Sequence, residues 1–137
     1  MDLSEAPGFL KDFPNDCCGW ASKFIGQFLV DEYKLSPQHV YAPSHPNYYG
    51  DGHEWIEIDN IIIDITADQF NEYGSTFPKE IVCSVNDSKW HNNWENISKD
   101  SAFEGFEKYD KIFYSNEMKC SDLYSLICKK VKQEFVV

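Results

Sequence analysis

Apolar side chains in residues 17–34 fall at Ala21, Phe24, Ile25, Phe28 and Leu29. That is the i, i+3, i+4, i+7, i+8 spacing of a helix with one buried face. Asp16 is suited to cap its start, and Pro37 sets its end near Lys34. The period then changes. Residues 52–58 and 61–66 are rich in isoleucine and read as two strands. Asp59 and Asn60 between them tolerate positive φ, which predicts a two-residue hairpin turn. Shorter strands are expected at 39–42, 80–85 and 112–114. Residues 43–52 hold Pro43, Pro46, Gly50 and Gly52 and read as an irregular loop, and residues 88–94 show no clear period. A last helix is expected after Ser121, with Leu123, Leu126, Ile127, Val131 and Phe135 on one face. Helix, then strands, then helix predicts an α+β fold: a helix packed on a small antiparallel sheet, plus a C-terminal helix. The 137 residues suit a single domain over the whole chain.

The turn sets the phase of the hairpin. With Asp59 and Asn60 as the loop, Ile58 pairs with Ile61, Ile56 with Ile63 and Trp55 with Asp64. Side chains alternate between faces. Glu54, Ile56, Ile58, Ile61, Ile63 and Ile65 share one face, expected to be the core face. His53, Trp55, Glu57, Ile62, Asp64 and Thr66 share the other. His53 and Asp64 are therefore diagonal neighbours, about 7–8 Å apart at the backbone and within side-chain reach. A one-residue slip would separate them.

Charge and cysteine usage narrow the function. The net charge is −11, so a phosphate backbone would be repelled and nucleic acid is not an expected partner; a cationic partner suits the surface better, with solubility alone as the competing role of the charge. The first residues carry no basic run followed by an apolar stretch, and no segment approaches the ~20 apolar residues of a membrane span. The cytoplasm is the default expectation, with export by a route that uses no cleaved signal left open. Five cysteines, an odd number with no CxxC pair, read as thiols and not as a disulfide framework or zinc ribbon.

One of these thiols stands at a helix start. Cys18 sits in the first turn of the first helix, one position after Cys17, where free N–H groups and the dipole favour a thiolate and could bind an oxyanion. It lies on the stripe that faces the packed interior, where a strand could bring His53 to it. The expected roles are Cys18 as nucleophile, His53 as its base and Asp64 as the carboxylate that orients the imidazole. Cys17 reads as a buried small hydrophobe. Tyr48, Tyr49 and Trp55 are candidate groove residues, with core packing as the competing role for Trp55. Gln69 is a candidate for orienting a substrate amide.

The segments FPNDCCGWAS (residues 13–22), GHEWIEI (52–58) and IIIDITADQF (61–70) resemble three motifs of bacterial transglutaminase-like proteins, within the papain/transglutaminase superfamily. Those motifs read Phe-Pro-x-x-x-Cys-Gly-x-Ala-Ser, His-x-Trp-x-Glu and Asp-x-Thr-Ala-Asp-Gln-Phe, and carry the catalytic Cys, His and Asp in that order. The resemblance implies a papain/transglutaminase-like core, with a motif-bearing part at about residues 13–85. It maps the triad to Cys18, His53 and Asp64, with no cofactor and no metal. It implies acyl transfer on an amide of a protein or peptide substrate: a peptidase, an amidase or deamidase, or a transglutaminase. A catalytically inactive module of the same fold, acting by binding, is the alternative. A site of His39, His45 and His91 with Cys17 or Cys18 fits no familiar zinc spacing. Asn96-Ile97-Ser98 matches a glycosylation sequon without a secretory context.

Overall fold

The structure is a computed structural model that describes residues 18–100 and, farther on, residues 124, 125, 128 and 129. The chain forms two compact units, one spanning Phe13–Glu104 and the other made of residues 1–12 and 105–137. In the second unit Tyr124, Ser125, Cys128 and Lys129 are helical. The strand expected at 112–114, the cap residues Asp16 and Ser121, and Cys17 lie outside the described residues.

Helix α1 spans Cys18–Tyr33. It stops where Lys34 takes a left-handed φ of 54° and its N–H donates back to the Val30 carbonyl at 3.1 Å. Strand β1, Gln38–Ala42, follows after Pro37. Strands β2, His53–Ile58, and β3, Ile61–Asp64, form the hairpin. Its register is Ile58↔Ile61, Glu57↔Ile62 and Ile56↔Ile63, as the turn required. Asp59 and Asn60 adopt φ of 48° and 65°, the pair of positive values that matches the twist of the flanking strands. A 3-10 helix over Ala67–Tyr73, strand β4 at Ile81–Ser84 and a short helix α2 at Lys89–Asn92 follow. Strand β5, Ser98–Asp100, has no counterpart in the periodicity.

The result is a five-stranded antiparallel sheet in the order β4-β3-β2-β1-β5, with α1 packed on its centre. Strand β5 adds to the free edge of β1 through His39↔Asp100 and Tyr41↔Ser98. Its three residues are all exposed and polar, and besides the backbone pairing Lys99 Nζ donates to Glu57 Oε2 at 2.7 Å.

The two faces of the sheet divide the core differently from the sequence expectation. On the α1 face, Ile56 is fully buried and the helix residues Ala21 and Phe24 are buried too, but Ile58, Ile61, Ile63 and Ile65 are only half buried. The deeper core lies on the other face. Trp55 and Ile62 project there beside Val40 and Ala42 of β1, under Tyr48, Phe70 and Trp94. The aromatic loop and the 3-10 helix cover this face, so the side carrying His53, Glu57, Asp64 and Thr66 is almost completely removed from water. Each fully buried Ile or Trp there contributes about 1.5–3 kcal/mol or more of hydrophobic stabilisation. Charge on such a face must be compensated locally.

Candidate functional site

Asp64, at the end of β3, is the centre of a buried polar cluster. Its Oδ2 is 2.7 Å from His53 Nε2 and 2.8 Å from His91 Nε2. His53, Asp64 and His91 are 0%, 2% and 1% exposed. An ionised carboxylate only accepts, so both imidazoles carry their proton on Nε2 and donate it. The second oxygen, Oδ1, accepts from the Thr66 backbone N–H at 3.0 Å and from its hydroxyl at 3.4 Å. This local turn explains why Thr lies two residues after Asp. Burial pushes the Asp64 carboxyl up, but the bonds from His53 and His91 outweigh it and hold it well below the ordinary carboxylate range.

Each imidazole has an outer partner. His53 Nδ1 is 3.3 Å from Gln69 Nε2, which the 3-10 helix presents. Facing an amide donor, that nitrogen keeps its lone pair. His91 Nδ1 is 2.6 Å from Ser88 Oγ, and the same hydroxyl accepts the His91 backbone N–H at 3.3 Å and caps α2. The rings of Trp55, Phe70, Trp90 and Trp94 pack within 6 Å of the His53 ring, centroid to centroid, and make its environment apolar.

Cys18 occupies the opposite side of β2. Helix α1 presses on the strand so closely that a Cβ on Gly19 would lie 2.6 Å from Glu54 Oε2. The side chain that β2 presents to Cys18 is thus Glu54, whose Oε2 lies 3.9 Å from the Sγ. His53, one residue earlier, points to the other face, and it shares no hydrogen bond with Cys18. Glu54 Oε1 lies 2.7 Å from His39 Nε2. Burial pushes the Glu54 carboxyl up, but His39 beside it, with Lys23 and His53 nearby, leaves it below its usual value.

The thiol responds to this setting. Burial and the Glu54 carboxylate push Cys18 up to about 12, and the N–H groups of Glu54 and Gly19 offset them only partly. The lowered pKa expected at a helix start is therefore reversed. Burial first, and then the carboxylate at contact distance, outweigh the partial charge of the first turn.

The other candidates separate clearly. Trp55 is buried in the core and donates its indole N–H to Glu57 at 3.2 Å. Tyr48 is buried too; its ring lies on Phe70 and Trp94, and its hydroxyl accepts from the Trp90 indole at 3.0 Å. Tyr49 stands fully in solvent. Gln69 touches the His53 ring. His39 and His45 do not join His91: His39 pairs with Glu54, while His45 accepts the Asn47 N–H on Nδ1. Sequence reasoning weighed His91 only in a grouping with His39, His45 and a cysteine, not with Asp64, and gave Glu54 no role at the site. The Ser88 cap three residues before His91 was the one local signal, and nothing local ties it to Asp64, 27 residues away.

Fold and site together define a small α+β domain, one helix on a five-stranded antiparallel sheet, with a buried His–Asp–His cluster. No family model, no curated protein and no solved structure matches the chain. Among the described residues no helix is long and apolar enough to cross a membrane.

Proposed function

We propose that the protein is a cysteine-dependent acyl-transfer enzyme of the transglutaminase-like type, acting on an amide of a protein or peptide. The observation that carries this reading is the His53–Asp64 hydrogen bond of 2.7 Å. It joins two motif residues in the register that the hairpin turn demands, and it leaves His53 Nδ1 as an unprotonated base.

In this reading Cys18 gives its proton to His53, and the sulfur attacks the amide carbonyl. The proton passes to the departing amine, and a thioester remains on Cys18. Water or a second amine then takes the acyl group and the thiol returns. Asp64 holds the Nε2–H tautomer and stabilises the imidazolium. The first turn of α1 offers N–H groups to the developing oxyanion. Burial and the contact with Glu54 keep the resting thiol protonated, so formation of the Cys18–His53 ion pair requires that carboxylate, and the strand beside it, to move when substrate binds.

One observation favours a second reading. Cys18 faces Glu54 and has no bond to His53. A domain fixed in that arrangement is a binding module in which the His–Asp pair is structural.

The deciding experiment offers a peptide-amide library to the intact chain and reads intact mass. Acyl transfer predicts an acyl adduct on Cys18 that is absent in Cys18→Ala and at least ten-fold slower in His53→Gln. No adduct, with Cys18 alkylation equally slow in wild type and His53→Gln, selects the binding module.

A further inference from the structure

The cluster on Asp64 holds more than a catalytic dyad needs. Three potential ligand atoms converge: His53 Nε2, His91 Nε2 and a carboxylate oxygen of Asp64, all within 4.8 Å of one another. Each first partner has a second partner behind it: Ser88 on His91, Gln69 on His53, and Thr66 on the free oxygen of Asp64. Two imidazoles and one carboxylate, each braced from outside, form a donor set for a divalent transition ion. Buried charge supplies the second argument. Asp64 is ionised and nine-tenths or more buried, and its hydrogen bonds come from the two imidazoles and from Thr66; no lysine among the described residues bonds it. Buried carboxylates are offset by a cation or by coordination to a metal.

We infer that His53, Asp64 and His91 form a site for a divalent transition-metal ion, zinc being the best match to two imidazoles and one carboxylate. Ligands about 2.0–2.2 Å from a tetrahedral ion lie about 3.3–3.6 Å from one another, so the nitrogens that now lie 2.7 and 2.8 Å from Asp64 Oδ2 must draw back from it by about half an ångström or more to admit the ion. A water takes the fourth position. The proton balance closes without release: each neutral ring moves its proton from Nε2 to Nδ1. Ser88 Oγ accepts the new N–H of His91, and Gln69 turns its amide oxygen toward that of His53. The ligands lie under the aromatic layer, so the ion enters as the domain folds or through local opening.

The metal site stands independently of the role proposed for Cys18. It has one consequence for that role. A ring ligated through Nε2 carries its proton on Nδ1 and is no longer a base, so the metal-loaded form and the acyl-transfer form exclude each other.

The test uses the full chain carrying Cys18→Ala, so the fate of the acyl-transfer reading does not affect it. The chain is refolded with Zn2+, dialysed against metal-free buffer and counted for zinc. About one zinc per chain is expected, falling at least ten-fold in His91→Gln and in His53→Gln, with folding of each variant checked by circular dichroism. In the wild-type site, nitrogen-15 spectra are expected to show both rings changing from the Nε2–H to the Nδ1–H tautomer on zinc addition. A cobalt-loaded form should lack a thiolate-to-metal charge-transfer band. Failure to retain zinc, equal retention by the histidine variants, unchanged tautomers or a thiolate band would each overturn the inference.

Discussion

Glu54→Gln tests the electrostatic account of Cys18 directly. The substitution keeps the shape of the side chain and removes one negative charge 3.9 Å from the sulfur. Two unit charges at that distance interact by about 1 kcal/mol in bulk water and about 4 kcal/mol at an effective dielectric constant of 20. Glu54 is about one-quarter exposed, which favours the lower part of that range. Burial is the larger cause of the rise to about 12, so we assign the carboxylate roughly one pKa unit, or about 1.4 kcal/mol. The variant should therefore hold about ten times more thiolate at any pH well below the midpoint. A less basic thiolate is also a weaker nucleophile, with a Brønsted slope of about 0.5, which returns about half of the gain on a logarithmic scale. Alkylation of Cys18 by iodoacetamide should be about three-fold faster in the variant throughout the range below both midpoints. The assay is peptide mass spectrometry after timed quenching across pH 7–10, which separates Cys18 from the other thiols. An unchanged or slower rate would show that Glu54 does not hold the thiol, and the placement of α1 against β2 would need revision.

Three further outcomes follow from the same geometry. Gly19→Ala should drive the flexible end of Glu54 away from the helix start, because a Cβ there meets Oε2 at 2.6 Å; Cys18 alkylation should quicken in the same sense as in Glu54→Gln, and a slower reaction would contradict the close approach. Asp64→Asn removes the charged acceptor shared by two buried imidazoles and should cost about 1.5–3 kcal/mol of stability in urea unfolding for each charge-assisted hydrogen bond lost. Asn60→Gly should raise the unfolding free energy by a few tenths to about 1 kcal/mol, since φ is 65° there and glycine adopts that region without a Cβ penalty; a loss of stability would mean that the Asn60 side chain supports the turn.

Local pattern determined the hairpin completely. Asp59 and Asn60 tolerate the positive φ of a tight turn, and a tight turn sets the register, so the pairing Ile56↔Ile63 and the meeting of His53 with Asp64 were readable from 14 consecutive residues. Helix α1 was equally legible, because its apolar stripe and its Pro37 stop are local signals. Alternation, however, gives only which residues share a face, not which face a distant element will cover. The isoleucine face looked like the core. The aromatic loop and the 3-10 helix instead close over the face of Trp55 and Ile62 and bury His53 and Asp64 with them. That choice is made by packing between segments far apart in sequence. Packing of α1 on β2 also buries Cys18 and sets it against Glu54, and so turns a helix-start thiol expected to be acidic into one raised to about 12. His91 belongs to the tertiary structure alone. Its four-residue helix has too little periodicity to be seen, and its partnership with Asp64 exists only once β4 and α2 have returned the chain to the end of β3.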